Sequence, residues 1–151
     1  MDELVITKQH ITYRAANEAI AAGLEKAAEL GVNAAIVITD GSGEIVTCAK
    51  TDGVNPRGWR GGLAKATVAA GMGISTEAFL EKRLKQDEVL WRALSSNPDT
   101  MFVPGGVPLK LGTATVGGVG VSGGHYDDDA KVAQAVADRF AEMATKSTLK
   151  A

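Results

Sequence analysis

Ala34-Ala35-Ile36-Val37-Ile38-Thr39-Asp40-Gly41-Ser42-Gly43-Glu44-Ile45-Val46-Thr47-Cys48-Ala49-Lys50 is the stretch on which the fold turns. Ala34 to Thr39 is a continuous apolar run of strand length, rich in β-branched residues. Asp40-Gly41-Ser42-Gly43 follows as a strong turn signal. Glu44 to Lys50 then reads as a second strand. Strands joined by so short a connection must run antiparallel, because a parallel crossover needs a dozen or more residues. The hairpin therefore argues against a doubly wound parallel sheet.

Upstream, Thr7 to Leu30 reads as a helix, with Ile11, Ala15, Ala16, Ala19, Ile20, Ala27 and Leu30 near helical spacing, Thr7 as its cap and Gly31 as its stop. His10 falls early in that helix. Downstream, Thr51 to Gly62 reads as a loop, followed by a short alanine-rich helix over Gly62 to Ala70. A further helical stretch opens at Ser75, carries Phe79, Leu80, Leu84, Trp91 and Leu94, and breaks at Ser95-Ser96-Asn97-Pro98. Three short strands are expected at Thr100 to Val103, Leu109 to Leu111 and Thr115 to Val121. The last helix spans Asp128 to Thr145, with Asp127, Asp128 and Asp129 at its positive end, and a polar tail from Lys146 to Ala151 is expected to fray. The order predicts a single α/β domain over residues 1–151, of the α+β type, with a five-stranded antiparallel sheet and helices packed on its faces.

Composition narrows the function classes. With 45% hydrophobic and 23% charged residues, the 151-residue chain has the balance of one globular domain. A net charge of -2 gives no general attraction to nucleic acid or to an anionic membrane. One cysteine, Cys48, cannot form an internal disulfide. The start Met1-Asp2-Glu3-Leu4 lacks a basic flank and a long apolar run, and no 18-residue apolar stretch occurs, so a cytoplasmic location is expected.

Gly118-Val119-Gly120-Val121-Ser122-Gly123 matches the letters of a dinucleotide fingerprint. The helix starts too late, however, and no second parallel strand can follow, so the glycines read as close packing on a sheet. Ser122 lies near His125, but no nucleophile elbow surrounds it. His125-Tyr126, in the loop before the last helix, is either a surface pair or a metal-ligating and proton-transferring one. The adjacent Asp127 to Asp129 either cap the helix or hold a divalent ion. Arg57-Gly58-Trp59-Arg60-Gly61-Gly62 sets two guanidiniums around an indole, with Lys65 following. Guanidinium forks match carboxylates, and Trp59 offers a face for a flat ligand. Trp and Arg are equally at home in subunit contacts.

Several segments, in order and over nearly the whole chain, resemble the GlcG/HbpS-like haem-binding and haem-degrading family, which includes the C-terminal domain of PduO. They are the hairpin above, Asp52-Gly53-Val54, Lys65-Ala66 with Ala69-Ala70, Pro104-Gly105-Gly106-Val107-Pro108-Leu109, Val116 to Gly123, and Asp129 with Val132-Ala133. The resemblance implies a profilin-like domain in homo-oligomers up to octamers, with a ligand pocket near subunit contacts. It implies binding of haem or a related tetrapyrrole, with haem degradation in some members. On that reading His125 is the candidate iron ligand, Tyr126 the alternative, and Arg57, Arg60 and Lys65 meet the propionates beside Trp59 and the Gly105-Gly106 turn. Two rivals stand beside it. One is an enzyme acting on a small carboxylated metabolite, with His125 or Tyr126 moving the proton; the other is a non-catalytic oligomeric scaffold. The chain departs from the family pattern at Thr51, at Arg57, Trp59 and Arg60, and at His125-Tyr126.

Overall fold

A computed structural model describes residues 3–150. The hairpin forms where its turn chemistry places it. β1 (Ala35–Asp40) and β2 (Ile45–Lys50) pair antiparallel, and the Asp40 carboxylate accepts hydrogen bonds from Ser42 N at 2.8 Å and Glu44 N at 3.1 Å. Gly43 turns the chain at φ 89, a backbone conformation that favours glycine. β3 (Gly106–Leu111) and β4 (Ala114–Ser122) complete a four-stranded sheet in the order β2-β1-β4-β3, antiparallel throughout.

The expected fifth strand is absent among the described residues. Thr100 to Val103 joins no strand; Thr100 Oγ1 donates to the carbonyls of Leu94 and Asn97, closing a turn, and Val103 O accepts from Thr76 Oγ1 at 2.8 Å. The large apolar side chain of that segment, Phe102, stacks on Phe79 with ring centroids 5.2 Å apart. With Val68 and Leu84 it forms a small second core, flanked by Leu80, Leu90 and Leu94. That core holds α3 (Thr76–Lys82, capped by Ser75), a 3-10 turn at Leu84–Gln86 and α4 (Glu88–Ser95) against the rest.

α1 (Tyr13–Leu30) starts later than the periodicity suggests. Its cap is Thr12, whose hydroxyl accepts from Ala15 N at 3.2 Å, not Thr7. Residues 7–11 lie outside any helix, and Ile11 N donates to Val116 O at 2.9 Å. Gly31 stops the helix in the left-handed region, as expected.

α2 (Gly58–Met72) starts earlier than expected, so most of the stretch read as an Arg-Trp-Arg loop is its first turn. Glycines lower intrinsic helix propensity, which is why the sequence reads as a loop there. Packing explains their presence: a Cβ at Gly61 would lie 2.6 Å from Ser122 Oγ, and one at Gly120 would lie 1.8 Å from the Gly62 carbonyl. A bare helix face therefore rests directly on bare strand, along Gly118 and Gly120 of β4.

The other sheet face carries α1 and α5 (Tyr126–Lys150) over a conventional aliphatic core of Ile20, Ile36, Ile38, Val119, Val132 and Val136. α5 runs through most of the tail expected to fray; Ala151 lies outside the described residues. Among the described residues no helix is long and apolar enough to cross a membrane.

Candidate functional site

The pairing of Ala35 with both Ser122 and Lys50 marks one end of the sheet, and most of the sequence-predicted site residues gather there. They fall into three groups rather than one pocket.

His125 and Tyr126 head α5. The chain reaches them through Gly123 at φ 125, where a Cβ would lie 2.4 Å from Val54 Cγ2. The His125 carbonyl accepts from Asp128 N and Asp129 N, both at 3.0 Å, and its Nδ1 accepts from Asp127 N at 3.2 Å. The imidazole thus caps the helix while its side chain stays 58% exposed, tilted against the Tyr126 ring at 4.1 Å. With Nδ1 accepting, the neutral ring carries its proton on Nε2. A metal at Nε2 requires the proton to move to Nδ1, and the Asp127 carboxylate, 3.5 Å away, is placed to accept it there.

Trp59 and Arg60 lie on the first turn of α2. The Arg60 guanidinium sits 5.4 Å from the Trp59 ring centre, a cation–π arrangement. Both border an open cleft of about 440 Å³ that runs along α2 past Leu63 and Thr67 to Gly43 of the hairpin turn, at the opposite end of the sheet, with Pro98 and Asp99 also lining it. Arg57 immediately precedes the helix, outside that lining, with its N–H on Asn55 Oδ1 at 3.0 Å.

Lys65, Gly105 and Gly106 form the third group, and here the structure corrects the sequence reading. Lys65 is 1% exposed. Its ammonium donates to Val121 O at 2.8 Å and to the Asp129 carboxylate at 3.0 Å, so it meets an internal partner rather than a ligand's carboxylate. Gly105 covers it: a Cβ there would lie 2.9 Å from Lys65 Nζ. Gly106 is equally closed, with its own Cβ position 2.6 Å from the Lys65 carbonyl. Burial pushes the Lys65 ammonium down and the Asp129 carboxyl up from their ordinary values, against the mutual attraction of the pair. Asp129 also accepts from Gly124 N at 3.3 Å, so the pair ties α2, β4 and α5 together beneath the His125 loop.

Asp129 is the partner of Lys65 that sequence reasoning missed. The available signal was a single lysine inside a run of glycines and alanines, which packs on an apolar surface. The aspartates do not gather into a cation site: no cluster of three or more metal-ligating side chains occurs among the described residues.

His10 lies near the opposite end of the sheet, in the extended segment before α1 rather than within the helix. Its Nδ1 accepts from Gly41 N at 3.2 Å and lies 3.6 Å from the Asp40 carboxylate. It borders two open clefts, of about 270 Å³ and 810 Å³.

The model of the family described as "Haem degrading protein HbpS-like" matches residues 11–138. No curated protein matches the chain significantly in sequence. Among solved structures, the Klebsiella pneumoniae protein ORFY is 25% identical with a TM-score of 0.85, over 93% of this chain and 97% of that one. A double mutant of Streptomyces reticuli HbpS is 29% identical with a TM-score of 0.80, over 91% and 92%. A PduOC:haem complex, 19% identical with a TM-score of 0.77 over 86% and 94%, shares the fold.

Proposed function

The chain belongs to the HbpS-like family of haem-degrading proteins, and from that premise we propose that it binds haem or a related tetrapyrrole at the His125 end of the sheet. The observation that carries the reading is the exposed His125 imidazole, with Asp127 beside Nδ1 and the Tyr126 ring against it. The donor types fit an iron porphyrin: an imidazole that can present Nε2, a phenol as the alternative ligand and, in a separate group at the start of α2, guanidiniums for propionates. Bound haem supplies iron chemistry; the chain supplies the ligand, the orientation and the charge. Arg57 and Arg60 replace Lys65 entirely in the propionate role, because Lys65 is closed off. The PduOC complex supports the reading to the extent that a chain of this fold holds haem. Haem degradation, a cytoplasmic location, a profilin-like classification and assembly into homo-oligomers belong to the same proposal, with neither nucleic acid nor membrane as a partner.

Haem titration followed by absorbance tests it. The wild type should shift the Soret band to that of a ligated haem, and His125→Ala should lose the shift. Arg57→Ala and Arg60→Ala should each weaken affinity roughly tenfold, the scale of one lost charge-assisted hydrogen bond. No Soret change in the wild type refutes haem binding.

The cleft beside Trp59 and Arg60 favours a second reading, capture of a small carboxylated metabolite. In that case Arg60→Ala abolishes binding of the acid and leaves haem without effect.

A further inference from the structure

The N-terminal segment presents three consecutive aliphatic side chains to solvent: Leu4 is 96% exposed, Val5 81% and Ile6 74%. They belong to no helix or strand, and the chain does not enter the core until Ile11. Such a run of exposed aliphatics in an extended segment is unusual for a monomer's surface. The segment is rooted at the rim of a cleft that lacks what the segment has. This cleft, about 270 Å³ between the start of α1 and the later turns of α5, has an apolar floor of Ala15, Leu111, Val116, Phe140 and Met143. Gln9 and His10, the root of the segment, form part of its edge.

We propose that the segment Leu4–Ile6 of one copy docks in the α1–α5 cleft of a second copy, and that the exchange is reciprocal. Geometry favours a second copy. Root and cleft share an edge, so a two-fold axis passing near that edge sets each segment over the other copy's cleft. Each contact is then made twice, as an isologous dimer requires. Five residue steps lead from Leu4 to Gln9, an extended reach of about 17 Å, enough to cross to a neighbour. Charge agrees: Glu3 precedes the aliphatic run, while Arg14 lines the cleft, and Lys146 lies in the adjoining pocket beside Arg14 and Glu18, whose carboxylate is taken by Arg139; neither Arg14 nor Lys146 forms an ion pair among the described residues. Aliphatic side chains fill the apolar floor, and the glutamate meets the basic rim. The interface is separate from the His125 end of the sheet, so it stands whether or not haem binds there.

Trans disulfide formation tests the pairing. In a Cys48→Ser background, one preparation carries Val5→Cys and the other Met143→Cys or Ala144→Cys. Mixed and mildly oxidised, the two should give a disulfide-linked heterodimer of about twice 15.6 kDa. Sedimentation provides the second readout: Leu4→Ser/Val5→Ser/Ile6→Ser should lower the assembled mass while leaving the melting temperature of the fold unchanged. Other surfaces can hold a larger assembly together, so the disulfide decides. Its absence for both cleft positions overturns the proposal whatever the masses, and so does a wild type that sediments as a monomer at micromolar concentration. An apolar dye that enters the cleft equally well in the wild type and the triple-serine variant assigns the cleft to a small molecule, and likewise overturns it.

Discussion

Lys65→Met retains most of the aliphatic stem that reaches from α2 toward β4 and α5 and removes only the ammonium. Three consequences follow at once. Val121 O loses the donor that now sits 2.8 Å away, Asp129 loses its cation at 3.0 Å, and the carboxylate remains buried with only Gly124 N, at 3.3 Å, to satisfy it. Removing one member of a buried pair costs about 3–5 kcal/mol, since the partner charge is left uncompensated. A domain of this size has about 5–15 kcal/mol of stability in all, so the variant should sit close to its unfolding limit at neutral pH. The loss should depend on pH with a definite sign. Without Lys65, the influence that holds the Asp129 carboxyl down is gone, and burial raises it further above 3.8. A carboxyl with a raised folded-state value binds its proton more tightly in the folded chain. Stability therefore falls as pH rises from about 3.8 through that value, by at most about 1.4 kcal/mol per pH unit. Urea unfolding at pH 5 and pH 7.5 measures this: Lys65→Met should lose less against the wild type at pH 5. The double variant Lys65→Met/Asp129→Asn should regain at least half of the loss at pH 7.5 and remove the pH dependence. A single variant that costs under about 1 kcal/mol, or a loss that is flat in pH, would refute the account of a charged pair buried beneath the glycine turn.

Thr39→Val should raise stability by about 1 kcal/mol in urea unfolding, because the Thr39 hydroxyl is buried without a hydrogen-bond partner among the described residues. A loss instead would reveal a bound water at that hydroxyl. Gly120→Ala should cost more than about 3 kcal/mol, since its Cβ would lie 1.8 Å from the Gly62 carbonyl and α2 must lift off the sheet; thermal melting by circular dichroism reads the loss. Thr12→Ala should cost about 1 kcal/mol for the lost cap of α1, whereas Thr7→Ala should cost nearly nothing. Equal effects at the two threonines would restore the earlier helix start.

The hairpin, β4 and the body of each long helix were legible because local signals and tertiary demands agree there. Asp40-Gly41-Ser42-Gly43 has the chemistry its turn needs, and Gly31 ends α1 where propensity says it should. The misreadings share a cause, which is that packing outweighed propensity. The first turn of α2 looks like a loop because it carries Gly58, Gly61 and Gly62, yet those glycines are what lets the helix reach the sheet. Thr100 to Val103 has the composition of a strand, but Phe102 gains more by stacking on Phe79 in the second core. His125, Tyr126, Trp59 and Arg60 were singled out by residue type alone, and the structure places all four at the surface. Lys65 was misread because a sequence does not say which side of an alanine-rich helix is buried. Nothing local points from Lys65 to Asp129, 64 residues away, so their pairing was visible only in three dimensions.

The same glycine contact constrains where a ligand can lie. With Gly118 and Gly120 of β4 pressed against Gly62, Ala66 and Ala70, the α2 side of the sheet leaves no room for a flat macrocycle. The opposite face is filled by Ile36, Ile38, Val119 and the apolar sides of α1 and α5. On the proposed reading haem therefore lies at an end of the sheet, where loops and helix termini present backbone N–H groups and exposed side chains. The two histidines of the chain occupy opposite ends in matching circumstances, each with Nδ1 on a backbone N–H at 3.2 Å and a carboxylate 3.5–3.6 Å from the same nitrogen. What separates them is exposure, 58% for the His125 side chain against 37% for that of His10. On the proposed reading haem takes the more exposed imidazole. A Soret band that survives His125→Ala and disappears with His10→Ala would reverse that assignment and move the ligand to the opposite end of the sheet.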